Sequence, residues 1–304
     1  MLKIAYSECY NHPLQEGHRF PMLKYDLIPE QLLYGGIISR SNLFDPGPLN
    51  EQWVTLTHTN QYWKKLREGT LSKQEERRIG FVYSKELVYR ELVIMNGTIQ
   101  AAKYALRYGV SFNIAGGTHH AYADMGEGFC LLNDNAIAAN FLLENNLAKK
   151  ILIVDLDVHQ GNGTASIFQN QSNVFTFSMH CSSNIYSKRE TSDLDIELEA
   201  NTGDDEYLTQ LSKHLTNVLN QFMPDFIFYQ SGVDVLETDK LGKLSLSKNG
   251  CKERDQIVFK NCINRNIPVA VNMGGGYSER ISDIVDAHCN TFESAIDIFG
   301  NNQT

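Results

Sequence analysis

The hydrophobic positions of this chain alternate between short apolar runs and longer segments with a helical repeat. Runs of four to six mainly apolar residues, the length of a buried strand, lie at 2–6, 54–57, 111–115, 151–154, 174–179, 225–229 and 268–272. Segments of helical character lie at 62–67, 87–108, 133–147, 204–222, 248–266 and most of 278–299. The most regular is 204–222, where Tyr207, Leu211, Leu215 and Leu219 recur every four residues.

Glycine, proline and polar residues separate these elements. They are densest at 12–25, 35–48 and 69–84, which we predict to be loops. Asn133 and Asp134 are both candidates for the N-cap of the helix that follows them, and Gly97 interrupts the helix at 87–108. Because no internal repeat or linker divides the chain, we predict a single domain over residues 1–304.

Strands that alternate with helices predict an α/β fold. Its crossovers are right-handed, and its mostly parallel sheet is covered by helices on both faces. Ligands of such sheets bind outside the carboxyl ends of the strands. Polar side chains that follow a strand are therefore the first candidates for function.

The strongest candidate is the segment 151–163, ILIVDLDVHQGNG, in which an apolar run leads into Asp155, Asp157 and His159. These three occupy alternate positions, and alternate residues of a strand project from the same face. Carboxylate oxygens and an imidazole nitrogen suit a divalent metal such as zinc. Taken alone, the segment has a less favoured alternative, a buried parallel strand that carries polar residues at its mouth.

Three further strands end in reactive side chains. His119 and His120 follow one predicted strand, Asp234 follows another, and Tyr277 follows a third across three glycines. Each has an ordinary interpretation by itself: adjacent histidines in a loop, an aspartate in a turn, a tyrosine after a flexible segment. Their convergence on the edge that also carries the D-x-D-x-H segment predicts a catalytic metal site.

Composition and charge narrow the class of partner. Hydrophobic residues form 42% of the chain and charged residues 21%, which is usual for a globular protein. With a net charge of −9 and no concentrated basic surface, we expect no direct nucleic-acid partner. Arg77 and Arg78 form a small basic island beside Glu75 and Glu76, which we predict to be a solvated loop.

The cysteines and the N-terminal sequence bear on the cellular compartment. Six cysteines without a C-x-x-C pair or zinc-finger spacing predict free thiols in a reducing compartment. The first residues contain no apolar stretch long enough for a signal peptide, and no run approaches the length of a membrane span. We therefore expect a cytoplasmic protein with no membrane span.

Several stretches, taken together and in this order, give the chain a family resemblance. They are HPLQEGHRFPMLKY (12–25), RRIGF (77–81), NIAGGTHHAYADMGEGFCLLND (113–134), DLDVHQGNG (155–163), QSGVDVLETDKLGKLSLS (230–247) and GGGY (274–277). The chain resembles the zinc-dependent histone deacetylases, and within that family the class IV branch and its bacterial relatives. The resemblance implies the arginase-like α/β fold, a single mostly parallel sheet of about eight strands between helical layers, with the site at the C-terminal strand ends.

The resemblance also implies the metal ligands. Asp157, His159 and Asp234 match the residues that bind one Zn²⁺ per chain in this family. Three protein ligands leave a position open for water and substrate, as a catalytic zinc requires.

The catalytic roles follow from the same resemblance. His120 matches the general base, which later protonates the leaving amine, and a pKa near ~6.5 suits an imidazole to both tasks. His119 matches its electrostatic partner, and Asp155 would hold the ring of His119. Tyr277 would donate its hydroxyl to the substrate oxygen as negative charge develops there.

Further family positions concern the substrate and a second ion. Gly128 and Phe129 match one wall of the tunnel around the acyl-lysine stem, where an aromatic face contacts methylenes. Tyr186 is our candidate for the other wall. Ser178 matches a side-chain ligand of the structural K⁺ or Na⁺ site, and an ordinary strand serine is the alternative.

The chain departs from the family pattern at two places. Asn162 stands where class I members have an aspartate behind the second histidine, and class IV members share the asparagine. Residues 69–90 contain no aspartate, whereas many members bind the substrate backbone with one at the rim. Because an asparagine lacks a full negative charge, we expect His120 to be a weaker base and acetyl turnover to be slow. A long acyl chain would compensate, and class IV members are known for removing such chains.

The sequence thus predicts a metal-dependent amide hydrolase that removes an acetyl or, preferentially, a longer acyl group from the ε-amine of an acylated lysine in a protein or peptide. The alternative within the fold is deacetylation of acetylated polyamines or other small amines, which acidic residues at the pocket rim would favour. A ureohydrolase would need a two-metal cluster with more ligands than D-x-D-x-H supplies. A non-catalytic binder of acylated protein would need neither a general base nor an open metal position.

Overall fold

The computed structural model describes residues 2–185 and 187–300. Its strands are β1 (Lys3–Ala5), β2 (Leu43–Phe44), β3 (Val110–Asn113), β4 (Ile151–Asp155), β5 (Val174–Cys181), β6 (Leu194–Leu198), β7 (Phe226–Gln230) and β8 (Val269–Asn272). They form one eight-stranded sheet in the order β2-β1-β3-β8-β7-β4-β5-β6, and each pair of neighbours is parallel. The predicted α/β fold with a parallel sheet of about eight strands is confirmed.

Helices flank this sheet on both faces. They are α1 (Lys24–Tyr34), α2 (Asn60–Glu68), α3 (Lys73–Ile79), α4 (Lys85–Tyr108), α5 (Asp134–Glu144), α6 (Asn162–Phe168), α7 (Asp204–Phe222), α8 (Lys248–Asn264) and α9 (Ile281–Gly300). Successive residues of β3 show the two faces. The ring of Phe112 stacks on Phe292 of α9 with centroids 4.3 Å apart, whereas Asn113 Nδ2 donates to the carbonyl of Ile94 on α4 at 2.9 Å.

The centre of the sheet is the core of the molecule. Every residue of β3, β8, β7 and β4, four strands that lie side by side, is buried. This accounts for the continuous apolar runs in the sequence, because a parallel strand covered on both faces has no solvent side. The loops that carry the predicted site residues leave the carboxyl ends of these same four strands.

The strand predicted at 54–57 is wrong. A 3-10 helix, Glu51–Leu56, occupies most of this segment. Asn50 caps it, because its Oδ1 accepts from the backbone N–H of Gln52 at 3.1 Å. The apolar side chain of Val54 is still buried, but it contributes to the core from a helix.

The loop predicted at 69–84 contains α3. Ser72 and Glu75 form a capping box, in which the Ser72 hydroxyl accepts from Glu75 N and the Glu75 carboxylate accepts from Ser72 N. The S-x-x-E signal was therefore present in the sequence. Arg77 and Arg78 lie on this helix and not in a solvated loop.

Other elements gave weak patterns. The pattern did not indicate β2 or β6, since β2 has only two residues and β6 alternates apolar and acidic side chains at the sheet edge. The helix α4 continues through Gly97, where a side chain would meet Tyr10 Oη at 2.5 Å, so this glycine permits a close contact.

All six cysteines are free thiols, as predicted. Among the described helices, none is long and apolar enough to cross a membrane.

Candidate active site

The proposed metal ligands lie together at the carboxyl edge of the central strands. One ligand atom each from Asp157, His159 and Asp234 lies within 4.8 Å of the others. We predicted that alternation along a strand would align Asp157 and His159. This is wrong, because strand β4 ends at Asp155. Hydrogen bonds fix the loop instead: Asp157 N donates to Asp155 Oδ1 at 3.1 Å, and His159 N donates to Asp157 Oδ1 at 3.0 Å.

The donor set fits a divalent cation. Asp234 is fully buried, and its Oδ1 accepts from Val158 N at 2.9 Å. Its Oδ2 makes no hydrogen bond in the described part of the chain and lies 3.3 Å from His159 Nδ1. Burial and the neighbouring Asp157 raise the pKa of Asp234 to about 7. Gly275 closes the site tightly, because a side chain there would meet Asp234 Oδ2 at 2.2 Å. Two buried carboxylates and an imidazole require a compensating charge, and one zinc-sized ion would provide it.

The adjacent histidines have different partners. His119 Nδ1 lies 2.7 Å from Asp155 Oδ2, as the resemblance implied, and His120 Nδ1 lies 2.7 Å from Asn162 Oδ1. Both rings are buried, with centroids 4.1 Å apart. The two buried rings thus differ in their hydrogen-bond partner, a carboxylate for His119 and a neutral amide for His120.

The pKa values of the two histidines move in opposite directions. Burial disfavours the charged ring of His119, but Asp155 and Asp157 outweigh this effect and raise its pKa to about 9. Burial lowers the pKa of His120 well below its ordinary value, and the charges of His119 and His159 lower it further. At neutral pH, His119 is a cation and His120 is neutral.

Asn162 has its amide orientation fixed by its surroundings. Its Nδ2 donates to Glu127 Oε2 and to the carbonyl of Lys188, both at 3.1 Å, so its Oδ1 must face the ring of His120. Because Oδ1 only accepts, His120 Nδ1 carries the hydrogen and the lone pair lies on Nε2. Ser187 also donates to Glu127 Oε2, which completes this network.

Tyr277 is held through its backbone. Its N–H donates to Asp239 Oδ2 at 2.6 Å, and Asp239 Oδ1 accepts from Leu241 N and Gly242 N. Burial raises the pKa of Tyr277 well above its ordinary value, and the charges of the nearby aspartates raise it further. Its hydroxyl is therefore protonated at neutral pH and can donate a hydrogen bond.

Comparison with known proteins identifies the family. A model of the "Histone deacetylase domain" matches residues 18–292. The chain belongs to the histone deacetylase family. An uncharacterised protein of Picosynechococcus sp. is 43% identical over 97% of this chain and 99% of its own length. Histone deacetylase 2 of Arabidopsis thaliana is 28% identical over 93% of this chain and 76% of its own length.

More distant relatives and solved structures agree with this assignment. The acetoin utilization protein AcuC of Staphylococcus aureus is 26% identical over 91% of this chain and 77% of its own length. A histone deacetylase homologue from Aquifex aeolicus has the same fold, with a TM-score of 0.82 at 23% identity over 98% of this chain and 84% of that one. A histone deacetylase homologue complexed with SAHA has a TM-score of 0.79 at 24% identity over 98% of this chain and 84% of that one. At these identities the solved structures show the fold alone.

Gly128 and Phe129, which the family resemblance places in one wall of the tunnel, lie in a tight turn. Glu127 and Cys130 pair across it, and the two central residues have φ of +55° and +67°. Positive φ is rare for a bulky residue such as Phe129, and it is stabilised here because Phe129 N donates to Ile79 O at 2.7 Å. The turn sets the ring of Phe129 against the cavity that Asp157 and His159 also line.

This cavity brings most of the predicted residues together. It is lined by both histidines, by Gly128 and Phe129, by Tyr277, and by two of the metal ligands, with apolar walls from Phe20, Tyr25, Phe81 and Ile94. Its volume is about 40 Å³. Asp155 and Asn162 do not line it, but each lies 2.7 Å from the Nδ1 atom of one of the two histidine rings.

Two predicted residues stand apart from this cavity. Tyr186, our candidate for the second tunnel wall, lies outside the described residues. Ser178 is buried on β5 beside Asp155 of β4, and its Oγ lies 2.9 Å from His180 Nδ1. A K⁺ or Na⁺ ion at Ser178 stays a prediction.

Sequence reasoning missed two buried cations that hold the backbone of the site. Lys24 Nζ donates to the carbonyl of Gly274 at 2.8 Å, and burial lowers its pKa to about 8. Arg254 Nη1 donates to the carbonyls of Gly232 and Leu156 at 2.5 and 3.3 Å. Each carbonyl lies within a few residues of a metal ligand or of Tyr277. No local motif marks either side chain, because their partners are distant in sequence.

Proposed function

We propose that this chain is a zinc-dependent amide hydrolase that removes an acyl group from the ε-amine of lysine. The observation that carries the proposal is one cavity, which is lined by Asp157 and His159 and lies next to Asp234. A neutral His120 and a protonated Tyr277 line the same cavity. Family membership supports amide hydrolysis as the reaction class. Asn162 is the feature that favours the class IV branch.

Asp157, His159 and Asp234 would hold the zinc ion. When bound, such an ion supplies Lewis-acid polarisation of the amide carbonyl and lowers the pKa of water. Burial opposes ionisation of Asp157, but the charges of His119 and His159 hold its pKa well below its usual range. The site is thus prepared with an anionic ligand before any ion binds.

His120 would move the proton. Its Nε2 carries the lone pair, so it accepts a proton from the attacking water and later returns it to the amine that leaves. Asn162 fixes the tautomer that makes this possible. The cationic His119 beside it would stabilise negative charge and would discourage His120 from holding its proton for long.

Tyr277 would donate its hydroxyl hydrogen to the acyl oxygen. The contribution of such a donor appears only as the oxygen becomes negative, so it accelerates the reaction and does not merely tighten binding. Asp239 keeps Tyr277 in place through the backbone N–H, at 2.6 Å. The lysine stem would pass along the ring of Phe129, which lines both this cavity and the larger space outside it.

The competing functions are less well supported. Deacetylation of polyamines would favour acidic residues at the rim, and none of the described residues that line the mouth is acidic. A ureohydrolase would need a second metal site, and the described residues form one cluster of suitable ligands. A pure binder would have no use for the tautomer that Asn162 imposes on His120.

Acyl length is set by two opposing energies. The cavity of about 40 Å³ accepts the methyl of an acetyl group, whereas a longer chain must displace apolar walls such as Ile94. Such displacement costs about 1–3 kcal/mol in a packed core. Each buried methylene returns ~0.8 kcal/mol. Two extra methylenes barely offset the displacement, but about six exceed it, so we propose that long chains are preferred and intermediate ones are not.

The test is turnover of an acyl-lysine peptide by the metal-loaded protein. We expect release of the free ε-amine, detected by mass spectrometry, together with about one zinc per chain. His120→Ala should lose ~10²-fold or more in kcat while keeping its zinc. Zinc-loaded protein that hydrolyses no acyl-lysine peptide would contradict the proposed function.

A further inference from the structure

The active-site cavity opens into an outer vestibule of about 230 Å³. The two share the ring of Phe129, the histidines His120 and His159, and Tyr277. The side chains that belong to the vestibule alone are those of Arg19, Ser183, Asn184, Ile185, Leu241 and Lys243. The part of a substrate that stays outside the tunnel would therefore contact these residues.

Arg19 is a cation without a carboxylate partner among the described residues. Its guanidinium carbon lies 5.4 Å from the centroid of the Phe129 ring, and the side chain is exposed. Stacking on the ring orients the guanidinium but leaves its N–H groups available. A planar guanidinium with available N–H groups is matched to a carboxylate, which it can bind with two hydrogen bonds.

Lys243 is the second cation of the vestibule. Its Nζ donates to the carbonyl of Ser183 at 3.1 Å, and no carboxylate lies within ion-pair distance in the described part of the chain. Its backbone is held in place, since Lys243 N donates to Asn184 Oδ1 at 2.9 Å and Asn184 Nδ2 donates to Leu241 O at 2.6 Å. An ammonium has three donors, so at least one remains for a ligand.

Nearby cations are neutralised, and these two are not. Lys188 pairs with Glu190 at 2.9 Å, and Arg189 pairs with Glu197. The carboxylate of Asp239, close to the vestibule, is directed at three backbone N–H groups. The vestibule thus has two cations and no carboxylate among its described lining residues, which favours an anionic group on the substrate.

From this arrangement we propose that Arg19 and Lys243 select acyl-lysine substrates that carry a carboxylate close to the acylated residue. The inference rests on the proposed function and specifies its carrier. A polyamine would place ammonium groups against the same two cations and be repelled. The carboxylate belongs to an acidic side chain next to the lysine or to the free α-carboxylate of the lysine itself.

A matched pair of peptides tests the selection. Two acyl-lysine peptides differ only in a Glu or a Gln on each side of the lysine, and kcat/KM is measured with the zinc-loaded protein at low salt. We expect roughly a threefold to tenfold advantage for the Glu peptide, the size of one or two exposed ion pairs. The advantage should shrink as salt rises, because exposed charges are screened.

Three variants locate the effect. Arg19→Gln and Lys243→Gln should each reduce the Glu-to-Gln ratio, and the double variant should bring it close to one. Arg107→Gln is the control, because Arg107 is exposed and stacks on Tyr108 at 5.1 Å but lies at the end of α4, outside the vestibule. A ratio that Arg107→Gln lowers as much as the two vestibule variants do would overturn the proposal.

A second pair of substrates identifies the source of the carboxylate. Nε-acyl-lysine with a free α-carboxylate is compared with its α-amide, alongside the peptide pair. Preference for the free acid alone identifies a single amino acid or a chain terminus, and preference for the Glu peptide alone identifies acidic flanking residues. Equal turnover of every substrate would overturn this inference and leave the proposed function standing. Absence of turnover on all of them would overturn both.

Discussion

His120 Nδ1 lies 2.7 Å from an amide oxygen of Asn162, the same distance that separates His119 Nδ1 from a carboxylate oxygen of Asp155. Two adjacent imidazoles thus have hydrogen bonds of equal length to partners of different charge. The carboxylate raises the pKa of His119 against the effect of burial. Burial and the neighbouring charges lower the pKa of His120, and the hydrogen bond to the neutral amide does not offset them. This difference is why we propose His120, and not His119, as the residue that moves the proton.

The first prediction concerns Asn162→Asp. A carboxylate behind His120 stabilises the imidazolium, so the pKa of His120 should rise. Because the base must be neutral to accept a proton, the acidic limb of kcat/KM should move to higher pH. The pH–rate profile measures this shift directly.

The structure adds a control to this experiment. Asn162 Nδ2 donates to Glu127 Oε2 at 3.1 Å, so an aspartate at 162 would face a second carboxylate. Glu127→Gln combined with Asn162→Asp removes that repulsion and should show the full shift. An acidic limb that stays in place in the double variant would contradict our account of Asn162.

The second prediction is that Tyr277→Phe folds and binds zinc but loses ~10²-fold or more in kcat, the usual effect of removing one oxyanion donor. The phenol ring contacts remain, since Phe20 and Phe129 pack against it with centroids 6.1 Å away. Substrate binding should therefore change little. Near-normal kcat in this variant would show that its hydroxyl takes no part in the reaction.

The third prediction concerns the metal. Asp234→Asn retains an oxygen that can accept from Val158 N but loses the anionic charge, so zinc affinity and activity should both fall sharply. Zinc at one hundred times its Kd should stabilise the unaltered protein by about 2.7 kcal/mol and the variant much less. Thermal unfolding with and without zinc measures this. Asp286→Asn, on the exposed face of α9, is the matched control and should respond to zinc like the unaltered protein.

The fourth prediction concerns acyl length. On one peptide, kcat/KM should be similar or lower for butyryl than for acetyl, and higher for octanoyl than for either. The reason is that any acyl chain longer than acetyl must displace the apolar walls of the cavity, which costs about 1–3 kcal/mol. Burial of each methylene then contributes ~0.8 kcal/mol. Substrates are kept below any micelle formation by the acyl chain. Acetyl-lysine hydrolysed faster than every longer chain would refute the prediction.

Some contacts of the site could be predicted from the sequence, and others could not. The proximity of Asp157, His159 and Asp234 was predictable, because these residues follow strands whose ends lie at one edge of a parallel sheet. The capping box of α3 could also have been predicted from Ser72 and Glu75, so the prediction of a loop there was avoidable. Lys24 was not predictable, because its partner is a backbone carbonyl 250 residues away and any buried donor would satisfy it equally. The contact of Glu127 was not predictable either, because its carboxylate accepts from the Asn162 side chain, which lies 35 residues away in the sequence.

The central claim is that one zinc ion at Asp157, His159 and Asp234 enables lysine deacylation, and a zinc titration of the metal-free protein tests it most directly. Turnover of an octanoyl-lysine peptide is measured as zinc is added in increments. We predict that activity rises linearly and reaches its plateau at one equivalent of zinc per chain, and that Asp234→Asn stays inactive throughout. Full activity in the metal-free protein, or a plateau that Asp234→Asn also reaches at one equivalent, would contradict the account.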